Sequence, residues 1–195
     1  CDHSVIPKID SDIGISVYTT KFPGCGGIIK KQNDDFTVSE VITEKAHSRI
    51  CSDSGYAVYK LKKNGIDTTH ALGKIFKKHG LRLKALGLKD ASAVTEQFVF
   101  TTSKMKHDFE INEPRYSLKK IGFTDKPLSK KEMVGNHFQI KIDNASDIAS
   151  QFEEYDRILN FYGYQRFGST RPISHLIGKS LLQKNYLNTI QILLS

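Results

Sequence analysis

Between two apolar runs, Leu81 to Leu88 and Phe98 to Phe100, the chain gathers a carboxylate, a cation, a hydroxyl and an amide. They lie in the stretch Gly87-Leu88-Lys89-Asp90-Ala91-Ser92-Ala93-Val94-Thr95-Glu96-Gln97. A buried strand that ends in Gly-x-Lys-Asp and resumes after Thr-x-Gln presents a polar loop at the rim of a core. Loops held by rigid strands are where binding and catalytic groups concentrate. Asp90 is therefore a candidate active-site acid, with Lys89 as its neighbour. The competing reading is a polar hairpin whose Asp serves a turn or a cap.

The elements that must position this loop follow from periodicity. Phe36, Val38 and Val41, and then Tyr56, Val58 and Leu61, alternate as strands do. Asp67-Thr68-Thr69 caps a helix whose apolar face is Ala71, Leu72, Ile75 and Phe76, closed by Gly80. Phe98 to Phe100, Tyr116 to Ile121 and Phe138 to Ile142 read as further strands. Ser146 to Tyr162 is predicted helical from the spacing of Ile148, Phe152, Tyr155, Ile158 and Leu159. Pro172 opens another amphipathic helix carrying Ile173, Leu176, Ile177 and Leu181. Strands and helices without regular βαβ alternation argue for an α+β fold, and no repeat or low-complexity segment interrupts them.

Composition narrows the partners. The 195 residues can hold one full domain or one and a half. Twenty-nine Lys and Arg against 21 Asp and Glu leave a net charge of +8, which favours a polyanion such as nucleic acid. Lys60, Lys62 and Lys63, then Lys74, Lys77 and Lys78, and Lys119, Lys120, Lys130 and Lys131 are clustered. They form the inventory for phosphate contacts, and such runs usually lie on solvated faces. No apolar run is long enough to span a bilayer and no signal peptide is visible, so no membrane partner is expected. The cysteines Cys1, Cys25 and Cys51 are odd in number and lack a C-x-x-C spacing, which points to the cytoplasm. The seven histidines are scattered, so no metal site is expected. Gly24-Cys25-Gly26-Gly27 lacks the Gly-Lys-Ser/Thr ending of a phosphate loop, and Gly178-Lys179-Ser180 follows Ile173 where such a loop needs its first glycine. No nucleotide cofactor is expected, which disfavours a nucleotide-dependent enzyme.

The Gly87–Gln97 stretch resembles the signature of the TruD-type tRNA pseudouridine synthases, in which the Asp is the catalytic residue. Gly135-Asn136-His137-Phe138 is similar to that family's Gly-Asn-x-Phe motif. Asn160-Phe161-Tyr162-Gly163-Tyr164-Gln165-Arg166-Phe167-Gly168 resembles its Asn-aromatic-aromatic-Gly-x-Gln-Arg-Phe-Gly motif. Upstream, Lys30-Lys31-Gln32-Asn33-Asp34-Asp35-Phe36-Thr37-Val38-Ser39-Glu40 is similar to its opening Asp-Phe-x-Val-x-Glu strand. Four motifs in register are specific. Asn33 departs from the pattern, where the family has a proline, and touches the turn rather than the chemistry.

The resemblance implies an isomerase that converts a uridine in tRNA, usually uridine 13, to pseudouridine without a cofactor, with Asp90 as nucleophile. Breaking the ribose C1′–N1 bond and joining C1′ to C5 needs no redox change. A carboxylate can serve as nucleophile on sugar or base, or as base on a ribose proton. The ionised Asp needs a nearby cation, and Lys30 is preferred over Lys89. Phe138 offers a π-face to the extruded base, Asn136 a donor and an acceptor to the uracil edge, and Phe36 a pocket wall. Phe167 is a further candidate wall. Glu40 and Arg166 are expected to support the site, Glu40 by pairing with a basic residue and Arg166 by contacting phosphate or bracing Asp90. The implied fold is a mixed, largely antiparallel sheet with flanking helices, an incomplete pseudouridine synthase catalytic fold. Residues 1–168 form its N-terminal half, and 169–195 begin an inserted helical domain cut short. The oligomeric state is not legible, a monomer being the default. The alternative from a different class is a non-catalytic basic RNA-binding module, which has no need of a carboxylate facing an aromatic.

Overall fold

In the computed structural model, residues 7–16, 18–51, 53–105, 110–159, 162–168 and 171–195 are described. Cys1, and Asn160 and Phe161 of the aromatic motif, lie outside them. The helices are α1 (Lys8–Asp12), α2 (Glu44–Ser48), α3 (Thr68–His79), α4 (Ser174–Leu182) and α5 (Tyr186–Leu194). The strands are β1 (Ile28–Ile29), β2 (Phe36–Ile42), β3 (Tyr56–Asn64), β4 (Leu83–Ala85), β5 (Val94–Thr101), β6 (Ile111–Glu113), β7 (Tyr116–Thr124), β8 (Met133–Ile140) and β9 (Ile142–Asp143). Two compact units result, one of Gly26–Ser146 and one of Cys1–Cys25 with Asp147–Ser195.

The Gly26–Ser146 unit is built on a seven-stranded sheet in the order β6-β7-β3-β5-β2-β8, with β4 also pairing with β5. Among the described residues only β2 and β5 run parallel; the other pairings are antiparallel, as the α+β expectation has it. Alternation in β3 sends Ala57, Tyr59 and Leu61 to one face, where Ala71 and Ile75 of α3 cover them. Val58 goes to the other face, with Phe98 and Phe100, beneath Ala46 and Ile50 around α2. Helix α3 is closed as its sequence predicts. The Asp67 carboxylate accepts the His70 N–H at 3.0 Å, and Gly80 takes the left-handed conformation at φ 68°. Phe76, expected on the apolar face, is instead exposed beneath the Arg82 guanidinium.

In the other unit the Asp10 carboxylate is buried and accepts the hydroxyls of both Tyr18 and Tyr164. Those two bonds, Tyr164's the larger contribution, hold Asp10 below the usual carboxylate range, and the Tyr18 hydroxyl is pushed up to about 12. The helix expected over Ser146 to Tyr162 is not formed. Asp147–Glu154 is a 3₁₀ stretch, and the residues up to Leu159 are irregular. Phe152 packs edge-on against Phe22, but Ile158 and Leu159 are 54% and 65% exposed. An amphipathic helix draws its stability from a covered apolar face, which these residues lack.

Candidate active site

The site begins with an irregularity in the sheet. On one side, β5 is shared by two strands: Val94, Thr95 and Glu96 pair with β2, while Val99, Phe100 and Thr101 pair with β4. Between the two ladders the Phe98 N–H donates to Glu40 Oε1 at 3.1 Å, so a side chain of β2 completes what neither strand reaches. The polar loop leaves β4 beside this gap.

Four side chains hold the loop. Gln97 Nε2 donates to the Gly87 carbonyl at 2.8 Å. The Lys89 N–H donates to Thr68 Oγ1 at 2.8 Å, and the Thr68 N–H returns a bond to the Lys89 carbonyl at 3.2 Å. Thr68 Oγ1 in turn donates to Gln97 Oε1 at 2.8 Å. Lys63 Nζ donates to the carbonyls of Lys89 and Asp90 at 3.0 and 2.8 Å. Glu40 Oε2 receives Lys89 Nζ at 3.1 Å, with the two side chains 0% and 8% exposed. That ion pair packs closely on Gly87: a Cβ there would sit 3.2 Å from Lys89 Nζ and 3.4 Å from Glu40 Oε2, so the pair would have to give by a few tenths of an ångström. Ala93 and Thr95 are buried as well. Asp90 is different. Its side chain is exposed, and among the described residues its carboxylate makes no hydrogen bond or ion pair.

The remaining candidates of this unit line up on β2 and β8. Register places Glu40 opposite Asn136, Val38 opposite Phe138 and Phe36 opposite Ile140, so these side chains share one face. Phe36 and Phe138 meet edge to face with centroids 6.1 Å apart, and Phe138 is 53% exposed. Lys30, at φ 56°, sets its ammonium 4.2 Å from the Phe36 centroid. The structure thus joins Lys30, Phe36 and Phe138 in one cluster, and joins Glu40, Lys89 and Asp90 through contact and sequence, with Asn136 alongside Glu40. Arg166 lies in the other unit, where its guanidinium stacks 5.4 Å from the Tyr162 ring centroid and Phe167 meets His175 edge to face. Asn33 occupies the first position of a 3₁₀ turn, which suits a proline, and uses its amide to bond Asn64 at 2.8 Å.

Sequence reasoning missed Lys63 and Thr68. Its position in the run with Lys60 and Lys62 predicts a solvated phosphate contact for Lys63, yet it is 1% exposed. Burial pushes its ammonium down from an ordinary 10.5 to about 8, although Asp67 and Asp90 pull the other way. The signal was available: Tyr59, Leu61 and Lys63 alternate onto one face. Among the described residues no cluster of His, Cys, Asp and Glu has the form of a metal site, and no helix is long and apolar enough to cross a membrane.

Residues 12–195 match the family model of tRNA pseudouridine synthase D (TruD). Two curated relatives are each named "Probable tRNA pseudouridine synthase D". The Methanosarcina acetivorans protein is 33% identical over 93% of this chain and 44% of its own length. The Pyrobaculum arsenaticum protein is 29% identical over 92% and 46%. A crystal structure assigned as tRNA pseudouridine synthase D (TruD) from Methanosarcina mazei superposes with a TM-score of 0.76 at 26% identity, covering 95% of this chain and 45% of that one. The chain thus spans less than half the length of the proteins it matches. With motif, sheet and sequence in agreement, the chain belongs to the tRNA pseudouridine synthase D (TruD) family.

Proposed function

We propose that this chain carries the catalytic carboxylate of an isomerase that converts a uridine of tRNA, uridine 13 by family resemblance, to pseudouridine. Asp90 is the nucleophile. A carboxylate oxygen adds to the ribose or the base as the C1′–N1 bond breaks. It is released once C1′ has joined C5, the C5 proton leaves, and N1 takes up a proton. Electrons balance without an oxidant or reductant, so no cofactor is required. The observation that carries this reading is the contrast within the motif. Gly87, Lys89 and Gln97 are spent on holding the loop, Ala93 is packed, and the Thr95 hydroxyl is buried without a hydrogen-bond partner. Among these motif positions Asp90 carries the one exposed polar side chain that makes no hydrogen bond or ion pair among the described residues.

The other roles attach to this one. Phe138, half exposed beside Phe36, stacks on the extruded base; Asn136 reads its edge; Lys30 supplies positive charge. Glu40 and Lys89 hold the loop, and Arg166 takes a phosphate. Residues 1–168 serve as the N-terminal half of the catalytic domain and 169–195 open an inserted one. The protein acts in the cytoplasm, as a monomer by default.

The test is Asp90→Asn in the full-length protein, by single-turnover tritium release from 5-³H-uridine tRNA alongside filter binding. Conversion should fall at least about 1,000-fold, about 4 kcal/mol in the barrier, while tRNA affinity changes by less than about tenfold. Wild-type conversion by a folded variant would remove Asp90 from the mechanism. Loss of folding would return it to a turn or cap role. Unmodified tRNA with wild-type protein would leave the RNA-binding module as the function.

A further inference from the structure

We propose that Lys63 is a positioning residue of this site: by holding the carbonyls of Lys89 and Asp90 on one ammonium, it sets the direction in which Asp90 presents its carboxylate. The inference rests on the reading of Asp90 as the reactive group, and the geometry that carries it is local. The Lys89 carbonyl belongs to the peptide plane that precedes the Asp90 Cα, and the Asp90 carbonyl to the plane that follows it. One Nζ at 3.0 and 2.8 Å from these two oxygens ties both planes to a single point. Fixing the planes on either side of a Cα fixes the direction of its Cβ. Thr68 adds its bonds to the preceding peptide groups, so the loop is clamped up to Asp90.

Burial makes the arrangement costly, which argues that it serves something. Lys63 is 1% exposed and sits at the end of an inward-facing row that begins with Ala57, Tyr59 and Leu61. Taking an ammonium out of water costs several kcal/mol, and an apolar side chain of similar length would fill the space more cheaply. Desolvation is the largest influence on Lys63, which lowers its pKa to about 8. The hydrogen bonds its ammonium makes end on the two carbonyls flanking Asp90. A catalytic group held in this way acts without reorganising at the moment of reaction.

The experiment uses full-length Lys63→Met, which keeps the aliphatic stem and removes the donor. Single-turnover conversion at saturating tRNA is normalised to folded protein, and the tRNA dissociation constant is measured in parallel. The expected result is a rate about 100-fold lower, the cost of roughly an ångström of misplacement, with affinity within about threefold. Lys63→Gln, a shorter neutral donor that satisfies one carbonyl, should lie between the two. A wild-type rate per folded site in either variant overturns the proposal. So does failure of both variants to fold, because Lys63 would then be a folding residue and not a positioning one. An inert Asp90→Asn beside a fully active Lys63→Met sinks this inference alone, whereas an active Asp90→Asn sinks the reading beneath it.

Discussion

The loop Gly87–Asp90 and strand β8 meet at Glu40, and they are built in opposite ways. The loop has no regular hydrogen-bond ladder, yet side chains of β2, β3, α3 and β5 grip it at every residue but Leu88. Strand β8 is paired along β2 except where the register shifts at Val134, yet it is the sheet's edge and most of its side chains are exposed, among them Val134, Asn136, Phe138 and Ile140. Irregular backbone is rigid here because buried polar groups converge on it. Regular backbone is open because half of its surface has no cover. A reacting group needs the first arrangement, and a surface that a planar ligand completes suits the second.

Breaking the loop's grip should have the largest effect. Glu40→Leu leaves the Lys89 ammonium buried without its partner and the Phe98 N–H without an acceptor. It should cost about 3–5 kcal/mol of unfolding free energy in a urea titration of the full-length protein. A loss under about 1 kcal/mol would mean that the pair does not hold the loop, and the contrast with β8 would vanish.

Phe138→Ala probes the other side. Truncating a half-exposed side chain on an edge strand should shift unfolding by no more than about 1 kcal/mol. Stacking on an extruded base should be lost, weakening tRNA capture and conversion by about 1–3 kcal/mol. The opposite pattern, a destabilised protein that captures and converts tRNA normally once folded, would make β8 a core element.

A third test is a slope with pH. Lys63 is held near 8 in the folded protein and stands at 10.5 when solvated. Between these values the unfolded chain binds the additional proton, so stability rises with pH. Below the window both states are protonated and the burial penalty is fully present; it is relieved as pH climbs through it. Relative to Lys63→Met, wild-type unfolding free energy should therefore increase between about pH 8 and 10.5. A difference that stays flat across this range would show that Lys63 is solvated, contrary to its place in the clamp.

Much of this was legible where local rules decide. Asp67 and Gly80 bracket α3 as capping chemistry requires, and alternation in Phe36–Val38 and Tyr56–Leu61 marks β2 and β3. The motif loop stands out because its polar residues interrupt an apolar run. What escaped depends on partners distant in sequence. The sharing of β5 between β2 and β4 is a fact of pairing, invisible in Leu83–Ala85 by itself. Lys63 was read by its neighbours Lys60 and Lys62, and not by its parity with Tyr59 and Leu61. The helical spacing over Ser146 to Tyr162 is real, but spacing yields a helix only where something covers the stripe. Site residues on β2 and β8 were named by resemblance, and register then set Asn136 beside Glu40, which no spacing rule could foresee.

The clamp takes hold of main-chain atoms: Gly87 O, Lys89 N, Lys89 O and Asp90 O. Peptide groups are the same whatever side chain they carry, so apart from the tight fit at Gly87 and the pairing of Lys89 this socket is indifferent to its cargo. Leu88, 76% exposed, takes no part in these contacts, so a substitution there should leave the loop's grip in place. A grip on the main chain therefore separates the loop's shape from the identity of the side chains it displays.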